Sequence, residues 1–229
     1  MKENLISHVF ILDQPEFIKR DTGLETTEFY IDCNNLILES QKKLENDVRV
    51  TRQQYLDSNN KPGTTPIQKA LNFAWENKND YCLLCYDFCG FEENILETFN
   101  KCINRYDRIV NSGDKRAHLG YVYSDAHCLL WNNFAIRKSL REIEAFEPNK
   151  NFMNSVIQGI YLVAVDIKHV DRSVPYLSLS EMILANCAGR PNPPIVYHLA
   201  EPVYFVPEYI TNDELKIKNE GHAYARFYV

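Results

Sequence analysis

The chain has 229 residues, of which 45% are apolar and 24% are charged, and its formal net charge is −6. This length and composition suit a soluble globular protein with one α/β domain, or one domain with an appendage. The acidic balance argues against non-specific nucleic-acid binding, which needs a basic face, and the sequence contains no apolar run long enough to span a membrane.

The amino-terminal part of the chain predicts short buried strands and one helix. Residues 8–12 are an apolar run that predicts a first strand, which stops at Asp13. Residues 28–32 (EFYID) predict a second strand that also ends in an acid. Residues 36–44 have helical character, and residues 48–50 fit a short third strand.

A helix followed by a buried strand is the most informative unit of the sequence. Thr65 can cap the helix and Pro66 suits its first position, and apolar residues then recur at helical spacing. Residues 81–86 are a continuous apolar strand, and Asp87 follows it directly. Because ligands of open α/β sheets bind beyond the carboxyl ends of the strands, Asp87 is a candidate functional acid.

The second half of the chain continues the alternation of helices and strands. Residues 91–103 predict a helix with acidic residues in its first turn. Residues 119–123 and 128–131 predict two strands flanking a short polar segment. A helix over residues 136–143 and a buried strand over residues 160–165 complete the pattern.

This alternation predicts an α/β fold with a mainly parallel sheet and helices on both faces. After Arg190 the sequence becomes rich in proline and tyrosine. We therefore expect a main domain over residues 1–190 and an irregular C-terminal extension over residues 191–229 that packs on it.

Two acids, Asp32 and Asp87, end predicted buried strands. An aspartate at one strand end often only makes a turn or caps a helix. Two aspartates at the ends of strands in one sheet favour a site that binds a nucleotide. Asp32 would accept bonds from the base or ribose, and Asp87 would bind a ribose hydroxyl or a divalent cation on the rim of the same crevice.

The cysteines, histidines and glycines of the sequence limit the kinds of functional site that it can contain. Cys82 and Cys85 form a C-x-x-C pair, but residues three apart on a strand point to opposite faces, which favours buried thiols over zinc. Seven cysteines without framework spacing favour reduced thiols, and the amino terminus lacks the apolar core of a signal peptide, so we expect a cytoplasmic protein.

His222 lies in a glycine-flanked turn that could fold over a cleft. The sequence contains no phosphate-loop, G-x-G-x-x-G or G-x-S-x-G motif, so bound phosphates would need a metal or a basic side chain such as Lys69.

Three segments, in this order, resemble a nucleotide-sugar glycosyltransferase of the GT-A fold, and within that class glycosyltransferase family two. Residues 8–20 (HVFILDQPEFIKR) resemble the family's first strand and the loop that wraps the nucleotide. Residues 70–72 (ALN), followed by Asp87, resemble its A-R-N helix and D-x-D strand end. Residues 136–147 resemble its acceptor-side helix and G-G-F-D-E turn.

The resemblance implies a Rossmann-like domain that transfers a sugar from a nucleotide-diphosphate sugar to a hydroxyl of a glycan or other acceptor. It implies Asp125 or Glu147 as the catalytic base, and Mn²⁺ or Mg²⁺ as a cofactor held by Asp87 and His222. The residues that it implies for binding the nucleotide sugar are Leu12, Asp13, Asp32, Asn34, Lys69 and Asp87.

The sequence also departs from the family pattern. Cys89 stands where D-x-D has its second acid, and the family's later E-D pair has no clear match. One alternative is therefore a catalytically inactive GT-A-like domain that acts as a binding or assembly partner. Another nucleotide-using α/β enzyme, such as a nucleotidyltransferase, and a structural protein without a small ligand are further alternatives.

Overall fold

The structure is a computed structural model that describes residues 5–13, 28–54, 65–111, 118–128, 160–188 and 193–206. Within these residues the chain forms seven strands and four helices. In chain order they are β1 (Ile6–Leu12), α1 (Glu28–Leu44), β2 (Arg49–Gln53), α2 (Pro66–Glu76), β3 (Tyr81–Tyr86), β4 (Gly90–Phe91), α3 (Ile95–Asn111), β5 (Leu119–Cys128), β6 (Leu162–Asp166), α4 (Leu179–Cys187) and β7 (Ile195–Val206).

The strands form one mostly parallel sheet in the order β2-β1-β3-β6-β5-β7-β4. Strands β1, β2, β3, β5 and β7 run in one direction, whereas β6 and β4 run in the opposite direction. All six residues of β3 are buried, as expected for a central strand that is covered on both faces. The predicted α/β class is confirmed.

Helices cover both faces of the sheet. On one face, the ring of Phe73 in α2 packs edge-on against His8 and Phe10 of β1, with ring centroids 5.2 and 5.8 Å apart. On the other face, Gln41 of α1 bonds to Arg52 of β2. Arg52 is the register partner of a residue in β1, Ile11, which points away from the face that His8 and Phe10 share.

The unit formed by α2 and β3 agrees with the sequence prediction in detail. Thr65 caps α2, since its hydroxyl oxygen accepts a bond from the Gln68 N–H at 3.2 Å, and Pro66 occupies the first turn. The strand over residues 81–86 has the predicted bounds. None of the helices in the described ranges is both long and apolar enough to cross a membrane.

The predicted strand over residues 28–32 is wrong, because these residues form the first turns of α1. A short apolar run cannot be distinguished from a helix by its periodicity alone. The helical pattern of residues 36–44 extends backwards because no glycine or proline interrupts residues 28–44. Asp32 is therefore a helical residue, and it does not end a strand.

The two predicted strands around Asp125 are one continuous strand, β5, with a register irregularity between Ser124 and Ala126. The polar sequence resembles a turn, but pairing with the 12-residue β7 overrides it, and the Ser124 hydroxyl accepts a bond from the Val203 N–H at 3.4 Å. The predicted helix over residues 91–103 begins later, at Ile95, because Phe91 pairs with β7 as part of β4.

The C-terminal extension is not irregular throughout, because Ile195–Val206 forms β7 between β5 and β4. Pro202 lies where the register between β5 and β7 shifts, a position at which a strand tolerates proline. The predicted helix over residues 136–143 and the rest of the extension lie outside the described residues. The division of the chain at residue 190 stays a prediction.

Candidate functional site

The carboxyl ends of β1 and β3 meet where the strand order changes direction. From β1 the chain proceeds to β2 on one side, and from β2 it returns to β3 on the other side of β1. In open α/β sheets, ligands bind at this topological switch point.

Backbone hydrogen bonds hold Asp13 and Asp87 side by side at this edge. The Asp87 N–H donates to the carbonyl of Leu12 at 2.9 Å, and the Asp13 N–H donates to the carbonyl of Gln53 at 3.0 Å. These bonds extend the parallel ladders one residue beyond each strand, since the register pairs Leu12 with both Gln53 and Tyr86. Both aspartates are half-buried.

The loop after β3 is braced by Gln41, a side chain of α1 that has no exposed surface. Its Nε2 donates to the carbonyl of Asp87 at 3.0 Å and to that of Cys89 at 2.8 Å. Its Oε1 accepts a bond from Nη2 of Arg52 at 2.9 Å. One amide therefore links helix α1, the end of β2 and the loop that carries Asp87.

Arg52 and Asp87 act on the same buried sulfur atom. Burial raises the pKa of the Cys85 thiol, the Asp87 carboxylate raises this pKa further, and the Arg52 guanidinium lowers it. Cys85 and Arg52 are both register partners of Ile11, so the three side chains form one row on the α1 face of the sheet. A cation on β2 and an anion that follows β3 thus lie on either side of this row.

Aromatic side chains pack together at the carboxyl end of β3. The half-buried ring of Phe88 packs against Tyr86 and Tyr161, with centroid distances of 5.6 and 5.4 Å. The Tyr86 hydroxyl accepts a bond from the Leu179 N–H at the start of α4, at 3.1 Å. This packing fixes the backbone on both sides of Asp87.

Comparisons with known proteins place few constraints on this chain. No family model matches the sequence, and no curated protein is significantly similar to it. Among solved structures, the chain is similar to the crystal structure of a candidate nucleotide-diphospho-sugar transferase from Desulfovibrio desulfuricans G20, with a TM-score of 0.36 and 10% sequence identity. The match covers 73% of this chain and 66% of that chain, slightly less than two thirds of its length. A likeness at this level does not establish a shared function.

Four of the residues proposed to bind the nucleotide sugar lie at the switch-point edge. Leu12, Asp13 and Asp87 end or follow β1 and β3, as described above. The fourth, Lys69, extends from α2, and its Nζ donates to the carbonyl of Gln54, just after β2, at 3.1 Å. These residues come from three separate parts of the sequence, and the fold brings them to one edge.

Asp32 and Asn34 do not end a strand beside Asp87. Both belong to α1, whose bonded contact with the Asp87 loop is made by Gln41. At 1.5 Å per residue, Asp32 lies about 14 Å further along the helix axis from Gln41. The expectation that Asp32 and Asp87 both end strands of one sheet is therefore wrong.

Of the two candidate bases, Asp125 lies in β5, two residues beyond Tyr123. Tyr123 pairs with Val163, which also pairs with Leu84 of β3. The backbone of Asp125 therefore reaches the same carboxyl edge, two strand spacings or about 10 Å from β3. Glu147, the other candidate base, and His222, the candidate metal ligand, lie outside the described residues.

The described side chains do not fit a Mn²⁺ or Mg²⁺ site. Cys89 occupies the position of the second acid of D-x-D, and its buried thiol donates to the carbonyl of Tyr161 at 3.6 Å. Burial also raises the pKa of this thiol, which disfavours the thiolate. Among the described residues, no group of three or more His, Cys, Asp or Glu side chains could hold a metal ion. Cys82, Cys85 and Cys89 are free buried thiols, as predicted.

Two surface grooves lie away from this edge. They have volumes of about 450 and 460 Å³, and both are lined by Leu44, Asp47 and Glu93, on the side of α1 that faces α3. Neither groove includes Asp13, Asp87 or Arg52.

Sequence reasoning missed the pair formed by Gln41 and Arg52. A glutamine within a helix usually indicates a solvated face, yet Gln41 follows Ile37 by four residues and precedes Leu44 by three. That spacing places Gln41 on the apolar face, so it could have been recognised as buried. Arg52 was missed because the strand was expected to end at residue 50.

Proposed function

We propose that this chain is a glycosyltransferase of the GT-A type, similar to family two, that moves a sugar from a nucleotide-diphosphate sugar to a hydroxyl of a glycan or other acceptor. The observation that carries the proposal is the meeting of Asp13 and Asp87 at the switch point, with the Arg52 cation linked to the Asp87 loop through Gln41. Carboxylates suit hydroxyl groups, and a guanidinium suits phosphates. The order of sequence segments shared with the family supports the same function.

The proposed roles follow from positions on the edge. Asp13 and Asp87 accept hydrogen bonds from the nucleoside, with Asp87 bonding a ribose hydroxyl. The acceptor oxygen attacks the anomeric carbon of the sugar, the bond from that carbon to the diphosphate oxygen breaks, and the nucleoside diphosphate leaves. A carboxylate base takes the proton of the acceptor hydroxyl, a role assigned to Asp125, with Glu147 as the alternative.

A binding assay followed by a turnover assay tests this proposal. Nucleotide sugars that bind only the folded protein raise its melting temperature. At a concentration 100-fold above Kd, binding adds about 2.7 kcal/mol to the free energy of unfolding. In the variant D87N, which keeps the size of the side chain, we expect binding and sugar transfer to fall roughly 10- to 100-fold. D80N, at the opposite end of the same strand, is the matched control and should behave like the wild type.

One observation favours a second function, that of a nucleotide-sugar-binding domain without transfer. Cys89 replaces an acid of the family motif and is committed to a buried bond. Under this alternative, nucleotide sugars would stabilise the wild type while no nucleoside diphosphate is released with any acceptor. A protein that no nucleotide or nucleotide sugar stabilises would contradict both functions.

A further inference from the structure

We propose that Arg52, oriented by Gln41, binds and neutralises the diphosphate of the donor in the place of a metal ion. This inference rests on the proposed function and names the group that meets the phosphates. It also makes the affinity for nucleoside diphosphates independent of divalent cations.

The orientation of the Gln41 amide is fixed by its neighbours. The carbonyls of Asp87 and Cys89 are acceptors only, so the amide nitrogen of Gln41 must face them and its two hydrogens are used. The amide oxygen then points towards β2, where the Arg52 guanidinium donates to it. A flipped amide would place its oxygen against two carbonyl oxygens and its hydrogens against a cation. The bond from Arg52 to Gln41 is therefore determined by the loop that carries Asp87.

This bond presents the guanidinium for a ligand. Arg52 is an exposed residue one position from the end of β2, and an arginine has five N–H donors. Gln41 accepts from one of its nitrogens, and within the described ranges Arg52 forms no ion pair. Anchoring one nitrogen reduces the side-chain entropy that is lost when the other donors bind a phosphate.

The charges at the edge favour such a cation. Two carboxylates, Asp13 and Asp87, adjoin each other at the switch point, and they would repel a diphosphate unless positive charge is nearby. Of the two acids of the D-x-D metal-binding motif, this chain has only Asp87, because Cys89 stands at the second position. The planar guanidinium of Arg52 matches the geometry of phosphate oxygens. The ammonium of Lys69 lies at the same end of β2 and adds a second positive charge.

The matched control for this proposal is Arg49, on the same strand. Arg49 is also exposed, but it lies at the amino end of β2 and, being three residues away, on the opposite face from Arg52. R49Q and R52Q therefore remove the same charge from the same strand, and only R52Q removes it from the switch-point edge. R52K keeps a charge but lacks the planar fork.

The experiment measures binding by calorimetry with the full chain and its three variants, in the presence of EDTA. The probes are UDP, GDP, ADP, CDP and dTDP, the matching nucleosides, and inorganic pyrophosphate. We expect R52Q to weaken the binding of the preferred nucleoside diphosphate roughly 10- to 100-fold, with R52K intermediate and R49Q unchanged. Nucleoside affinity should not change in R52Q. The dependence of log Kd on salt concentration should also become less steep in R52Q, which a merely structural role would not produce.

The outcomes separate this inference from the proposed function. Equal diphosphate affinity in R52Q and the wild type overturns the role of Arg52 and leaves the proposed function standing, as does a wild type that binds only when Mn²⁺ replaces EDTA. If the wild type binds pyrophosphate through Arg52 but no nucleotide, the anion site is supported and the proposed function fails. A wild type that binds none of the probes overturns both.

Discussion

Replacing Gln41 with methionine should lower the free energy of unfolding by about 3.5 kcal/mol. Methionine has a similar length and shape, so the change removes three hydrogen bonds without leaving a large cavity. Two of these bonds are neutral, to the carbonyls of Asp87 and Cys89, and each contributes about 1 kcal/mol. The bond from the charged Arg52 is worth about 1.5 kcal/mol, the low end of its range because Arg52 is exposed.

The assay for this prediction is urea unfolding of the wild type, Q41M, R52Q and the double variant. Q54M, which alters an exposed glutamine, is the control and should change stability by less than about 0.5 kcal/mol. Because Q41M and R52Q remove the same bond, the double variant should cost about 1.5 kcal/mol less than the sum of the single changes. If the costs in unfolding free energy are additive, or if Q41M loses less than about 0.5 kcal/mol, Gln41 does not hold the Asp87 loop in this way.

Two further predictions concern the sheet itself. Burial of the His8 ring, 2% exposed, lowers its pKa from 6.5 to about 4, with a smaller effect from Arg49. Since the unfolded chain binds more protons between these pKa values, stability should fall by roughly 2 kcal/mol from pH 7.5 to pH 5. Urea unfolding checks this, and H8F should lose that part of the pH dependence; an equal slope in both proteins would contradict it. G90A should destabilise the protein by about 1–3 kcal/mol, because the new methyl group would collide with the ring of Phe205. An unchanged melting temperature in G90A would show that β4 does not pack on β7 in this way.

Strands β1 and β3 could be predicted because they differ strongly from their surroundings. Each of these strands is a short apolar run, one followed by Asp13 and the other by Asp87. Turn residues or a polar segment bound both runs, so a helix is not a competing interpretation. The helix after Thr65 was clear because its cap and its periodicity agree. Where local signals and fold are consistent, the sequence suffices.

Other elements could not be predicted because their structure depends on distant partners. Residues 28–32 are apolar enough for a strand, and only their continuity with the rest of α1 makes them helical. Asp125 lies in a turn-like sequence that becomes a strand because β7, some 70 residues later, pairs with it. Arg52 and Gln41 meet only once α1 packs on the sheet, and no local pattern encodes that contact.

The site also bears on the alternative functions. A nucleotidyltransferase would be expected to carry a glycine-rich basic loop after its first strand, whereas this chain continues from β1 with Asp13, Gln14, Pro15 and Glu16. This segment counts against a nucleotidyltransferase. A structural protein without a small ligand would not be stabilised by any nucleotide or nucleotide sugar.

The most direct test of the central claim is to map, by amide NMR, which residues respond to a bound nucleotide-diphosphate sugar. If the switch-point edge is the site, the amide shifts should change most at Asp13, Gln54, Asp87 and Phe88, and these changes should be lost in D87N. Changes confined to the grooves around Leu44 and Glu93, or no changes with any nucleotide sugar, would contradict the account.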